Sequence, residues 1–200
     1  MIKLLACDIG FASTGLAIFA WNGGTWSLFD CKCTHTSKKR DRSVALDDIR
    51  RTEVMATEVI NYYLDNQCSA IVAEIPTGGA LSASAAKCMG AAVAMIATVR
   101  LTLACPVEWI TPNESRKAAG WSKELLTGAE TRQGKTKAIK QHVMARMCEL
   151  YPALLALKLG DREHIADACA TYLAARSRDV IIELIGALDG CEEIEKENLQ

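Results

Sequence analysis

The hydrophobic and polar positions of this chain fall into segments of two kinds. Residues 2–9 (IKLLACDI) form a near-continuous apolar run, the pattern of a strand buried on both faces, and the run ends in Asp8. Residues 16–21 predict a second strand, Asn22-Gly23-Gly24 a hairpin turn, and residues 25–34 a third strand. A helix is expected from about 43 to 65, with Val44, Ile49, Val54, Met55, Val59, Ile60 and Tyr63 along its apolar stripe. A short β-rich run, 70–75, carries Glu74 at its end and reads as a fourth strand. After the loop Pro76-Thr77-Gly78-Gly79 comes a long helix, 81–103, rich in Ala, Gly and Ser; such small side chains permit close packing on a sheet or on another subunit. Residues 107–111 predict a fifth strand, broken by Pro112, and 112–133 are polar. Helices follow over 135–150 and 161–175, joined by a connector at 152–160. The stretch from Asp179 begins helically. Three meandering strands, then alternating helices and strands, imply an α/β fold: a central mixed sheet with helices on both faces. There is no repeat, low-complexity tract or linker of domain scale, so one domain is expected over 1–178, with 179–200 as an extension.

Composition narrows the classes. The chain has 200 residues, 50% hydrophobic and 24% charged, which is globular and not disordered. No run of 18 or more purely apolar residues occurs, so no membrane-crossing helix and no membrane partner are expected. The first fifteen residues do not read as a signal peptide. The nine scattered cysteines are therefore expected as free thiols in a reducing cytoplasm. Cys31-x-Cys33-x-His35 reads as one face of a strand and not as a metal site, because no second ligand pair has zinc-type spacing. The net charge of −1 argues against a nucleic-acid binder, but it is unevenly placed. Residues 179–200 sum to −6 and residues 1–178 to +5.

Candidate chemistry gathers on four residues. Asp8 and Glu74 end neighbouring strands and can point into one crevice. His164 and Asp167 are three apart and share a helix face. A helix packed across those strand ends would bring the four together. Carboxylates with one imidazole suit Mg²⁺ or Mn²⁺, and a pair of such ions suits phosphodiester cleavage. Asp161, after Gly160, reads as the cap of the last helix.

The segments DIGFASTGLAIF (8–19), IVAEIP (71–76), SASAAKCMGAAVAMIATV (82–99), GKTKAIKQHVMARM (134–147) and EHIADACATYLAA (163–175) resemble, in order and spacing, the RuvC family. These are Holliday-junction resolvases of the RNase H-like superfold, and the resemblance spans roughly 1–178. It implies a mixed five-stranded sheet of order 3-2-1-4-5 with strand 2 antiparallel. It further implies Mg²⁺-dependent cleavage of four-way DNA junctions by a homodimer, in recombination and repair, in a bacterial cell or a phage-infected host. Two Mg²⁺ ions per site, replaceable by Mn²⁺, would be held by Asp8, Glu74 and Asp167, with His164 at a position where family members carry Asp or His. The family's DNA-contacting basic residues fall on Lys135 and Lys137. Arg116, Lys117, Arg132 and Lys140 belong to the same basic stretch, 111–146, which sums to +5. The chain departs from the family in having no aromatic after Glu74 and in carrying the acidic extension. Alternatives are a YqgF-like RNA-processing nuclease and a non-catalytic junction-binding protein.

Overall fold

The structure, a computed structural model, describes residues 1–39, 41, 43–77, 82–122 and 131–187, with only the backbone at Arg132. The expectations that fall on Gly78-Gly79, on the Arg132 side chain and on the acidic stretch from 188 lie outside the described residues.

The strands are β1 (Ile2–Ile9), β2 (Ser13–Trp21), β3 (Trp26–His35), β4 (Ala70–Glu74) and β5 (Val107–Ile110). They form one sheet of order β3-β2-β1-β4-β5, as the resemblance implies. β2 runs antiparallel to both its neighbours, and β1, β4 and β5 are parallel. The helices are α1 (Val44–Asp65), α2 (Ala83–Leu103), α3 (Pro112–Ala118), α4 (Arg132–Leu150) and α5 (Leu159–Ala175).

Alternation along β1 divides the core. Leu5 and Cys7 face α1 and α2, meeting Met55, Val59, Met95, Ile96 and Val99. Leu4 and Ala6 face the other way, into a cluster with Val143, Met147, Ile165 and Tyr172 from α4 and α5. Both faces of the central strands are thus covered, which is why their sequences read as unbroken apolar runs. By the same alternation Asp8 points to the α5 side, and so does Glu74 after Ala70 and Val72. Helical residues 179–187 continue this packing through buried Ile181.

Three expectations need correction. Pro112 does not merely break β5: it starts α3. Thr111 and Glu114 form a reciprocal capping box there, and proline's missing N–H costs nothing in a first turn. In α1 the inward positions of the first turns are polar. Asp47 and Arg51 are buried, while Val44, Ile49 and Val54 are exposed. Arg51 donates to the Phe11 carbonyl at 3.0 Å and to Thr36 Oγ1 at 2.9 Å, bracing the β1–β2 turn. Asp161 is not the helix cap. Lys158 holds that position, without a side-chain hydrogen bond, and Asp161 sits in the first turn of α5.

The apolar helix α2 is long enough and apolar enough to cross a membrane by length and composition alone. Its Ala92, Met95, Ile96 and Val99 nevertheless lie in the core, and Lys87 pairs with Asp48 of α1.

Candidate metal and nucleic-acid site

Asp8 and Glu74 are register partners on adjacent parallel strands, so their side chains leave the sheet side by side. One row crosses the sheet at this level: Cys33, Gly15, Asp8, Glu74, Ile110. Helix α5 lies over that row, and Gly15 allows it. A Cβ at position 15 would sit 2.1 Å from the His164 carbonyl oxygen and 2.3 Å from its carbon, both backbone atoms. With glycine there, the α5 backbone rests on β2, and His164 reaches Asp8 (Nδ1 to Oδ2, 3.2 Å). Asp167, one turn on, shares the face and enters the same charge cluster.

The electrostatics follow from crowding. Burial pushes the Glu74 carboxyl up to about 7, and the Asp8 charge adds to it. A hydrogen bond from Ser115 and the Arg116 guanidinium oppose that shift. Burial raises Asp167 further still, reinforced by Asp8 and Glu74. The hydrogen bond to Asp8 raises His164, against the effect of its burial. Three carboxylates close together in a low dielectric ionise together only at a cost unless a cation offsets them. Three hard oxygen donors and one imidazole suit a divalent ion such as Mg²⁺ or Mn²⁺, and the crowding is what such an ion would relieve.

Ser115, a residue not singled out in the sequence, belongs to the site. It is buried at the heart of α3, and its hydroxyl donates to Glu74 Oε2 at 2.6 Å. The capping-box motif Thr-Pro-Asn-Glu was the available signal for the helix that carries it.

The basic residues divide. Arg116 and Lys140 line a pocket of about 40 Å³ with Glu74 and Asp167. Lys137 and Lys140 line a larger cleft of about 700 Å³ between α4 and the start of α5. Lys140 also pairs with Glu163. Lys135 and Lys117 are exposed outside both cavities.

By sequence, no protein-family model and no curated protein matches the chain. By structure, it is similar to Thermus thermophilus RuvC, with a TM-score of 0.62 at 16% identity over 92% of this chain and 97% of that one. A structure of T. thermophilus RuvC in complex with a Holliday junction substrate aligns at 0.60, 18% identity, over 86% and 92%. The fowlpox virus Holliday junction resolvase aligns at 0.51, 13% identity, over 88% and 97%. The fold is that of RuvC. In the terms of that fold, the crowded carboxylates lie at the carboxyl ends of the two central parallel strands, under the last helix. This is the crevice where sheets of this class place their chemistry.

Proposed function

We propose that this protein is a divalent-metal-dependent endonuclease that cleaves four-way junctions and related branched DNA, acting as a homodimer. The observation that carries the reading is the meeting of Asp8, Glu74, His164 and Asp167 beside a lysine-lined cleft, in a chain with the RuvC fold. Asp8, Glu74 and Asp167, with His164, would hold two Mg²⁺ ions, with Mn²⁺ as a substitute. When bound, such ions activate water and offset charge on the phosphate.

The chain's own groups prepare the site. Ser115 fixes one oxygen of Glu74 and leaves the other for a ligand. Asp8 orients the His164 ring through Nδ1, which directs Nε2 to the remaining task of ligation or holding water. Lys137, with Lys135 exposed two residues earlier on the same helix, would take the phosphates that lead into the cleft. Arg116 offsets charge at Glu74, and Lys117 extends that basic surface outward. The dimer surface falls to α2. Its buried edge is Ala92, Met95, Ile96 and Val99, and its opposite side presents Ala86, Gly90, Val93, Ala97 and Leu101 to solvent.

The deciding experiment is cleavage of a mobile four-way junction with Mg²⁺, with the nicks mapped on all strands. Paired, symmetric nicks are expected. Asp8→Asn should abolish them, at least about 1,000-fold, while leaving junction binding in the absence of metal near wild type, because it removes a metal ligand and no phosphate contact. Cutting of structured RNA in place of the junction would favour an RNA-processing nuclease. Binding without any metal-dependent cutting would favour a non-catalytic junction protein.

A further inference from the structure

A second group of donors stands two strands along the same row. Cys33 and His35 alternate on β3 and face the side covered by α5. Asp161 reaches them from the first turn of α5. The Cys33 sulfur, a His35 ring nitrogen and an Asp161 oxygen all lie within 4.8 Å of one another. His35 Nε2 is 2.7 Å from Asp161 Oδ1, and Nδ1 is 2.9 Å from the hydroxyl of Ser13, its register partner on β2. The ring is thus tied at Nδ1 while Nε2 faces the carboxylate, with the thiol within 4.8 Å of a ring nitrogen. This is how metal-binding histidines are held.

We propose that Cys33, His35 and Asp161 form a separate metal site for a borderline transition ion, Zn²⁺, with water as the fourth ligand. The chemistry of the donors separates it from the carboxylate cluster. A thiolate with an imidazole selects Zn²⁺ over Mg²⁺, whereas the cluster at Asp8 offers mainly hard oxygens. On binding, the thiol gives its proton to solvent and the sulfur takes the ion. Burial holds the Cys33 thiol well above its ordinary range and the anionic Asp161 and Asp8 raise it further, so the sulfur becomes a thiolate only with a cation beside it. Zn–N and Zn–O bonds of about 2.0–2.1 Å place neighbouring tetrahedral donors roughly 3.3 Å apart. His35 and Asp161 must therefore open by about half an ångström from their present contact. Their side chains are 52% and 34% exposed, which leaves room for that shift and for a water. The plainer reading is a His–Asp ion pair with a thiol nearby. It explains the 2.7 Å contact but assigns nothing to the sulfur.

Occupancy would have a structural consequence. The ion would join the end of β3 to the start of α5, three residues before His164. It would then hold α5 in place over Asp8, whatever reaction that cluster performs.

The test uses the full, reduced chain and Co²⁺ as a visible stand-in for Zn²⁺. The expected result is a thiolate-to-cobalt charge-transfer band in the near ultraviolet that saturates at one ion per chain and is erased by Zn²⁺. Cys33→Ser should lose the band. Cys31→Ser should keep it, and Asp8→Asn should keep it with a modestly lower affinity, because Asp8 contributes only a more distant charge and no ligand atom. Ser13→Ala should weaken binding about 10–100-fold by releasing the imidazole. Zn²⁺ should raise the Tm of the wild type and not that of Cys33→Ser, provided the variant's circular dichroism matches the wild type. Asp161→Asn gives a second route should Cys33→Ser fail to fold, with the band expected to weaken and shift. No band in the wild type, or a band that survives Cys33→Ser, overturns the proposal. Neither outcome depends on whether the protein cuts DNA.

Discussion

At the scale of single residues, an absent side chain matters as much as the charged ones. Gly15 gives α5 its seat on β2, and the atoms a Cβ would strike are backbone, which cannot rotate away. Gly15→Ala should therefore cost at least about 3 kcal/mol, the upper range for overpacking. The matching readouts are a lower Tm and weaker Mg²⁺ binding, since His164 moves with the helix. Charge at the same spot makes a second prediction. Without metal, the folded chain keeps protons on Glu74 and Asp167 that the unfolded chain has already released. Stability should then fall as pH rises from about 4.5 to about 7, the span of the Glu74 shift, and Asp167 acts in the same direction. His164 adds to the trend. Its raised pKa stabilises the fold at low pH, and that contribution is lost as pH climbs through the folded-state value. Asp167→Asn removes one of the crowded charges. Thermal melts in a chelator at pH 8 should show it more stable than wild type by on the order of 1 kcal/mol, with a weaker pH dependence. Equal or lower stability would contradict the crowding argument.

At the scale of elements, the sheet was legible in the sequence because each strand carries its own local signature. The apolar runs ending in Asp8 and Glu74 needed no partner to be recognised, and neither did the Asn22-Gly23-Gly24 turn. What escaped depends on partners far along the chain. Asp161 looks like a cap until His35, 126 residues earlier, is beside it. That Cys33 and His35 have an acid beside them is visible only once α5 brings Asp161 there. Val44 and Ile49 fit a helical stripe, but the inward positions belong to Asp47 and Arg51, which serve the turn at Phe11. Helix α3 is a different case: Thr111, Pro112 and Glu114 announce it locally, but a proline after a strand signals a stop as readily as a start. For α2 the proposed dimer contact falls on its outer side. Nothing lies within 4 Å of a Cβ added at Gly90, so Gly90→Arg should fold at least as well as wild type, gaining up to about 1 kcal/mol of helix propensity. Sedimentation should nevertheless show it monomeric where the wild type is dimeric, because the new side chain projects from the proposed contact face. An unchanged dimer would move the interface elsewhere.

At the scale of the molecule, net charge is a poor guide to the surface that matters. The total of −1 combines a body of +5 with an end of −6, and three of the body's acids crowd into one crevice. Lys137 beside that crevice should act as a phosphate contact. Lys137→Ala is expected to weaken junction binding uniformly across sequences and to reduce the salt slope by about 1, measured as affinity against ionic strength. The span of the site along the chain has a further consequence, in the order of synthesis. Asp8 is made 156 residues ahead of its partner His164. The strands can pair while the chain is still emerging, but the carboxylate cluster stays open until α5 docks across them. A chain stalled or cut before residue 159 carries Asp8 and Glu74 without the helix that completes the cluster. The four side chains of the proposed site can therefore meet only after α5 has been made and docked.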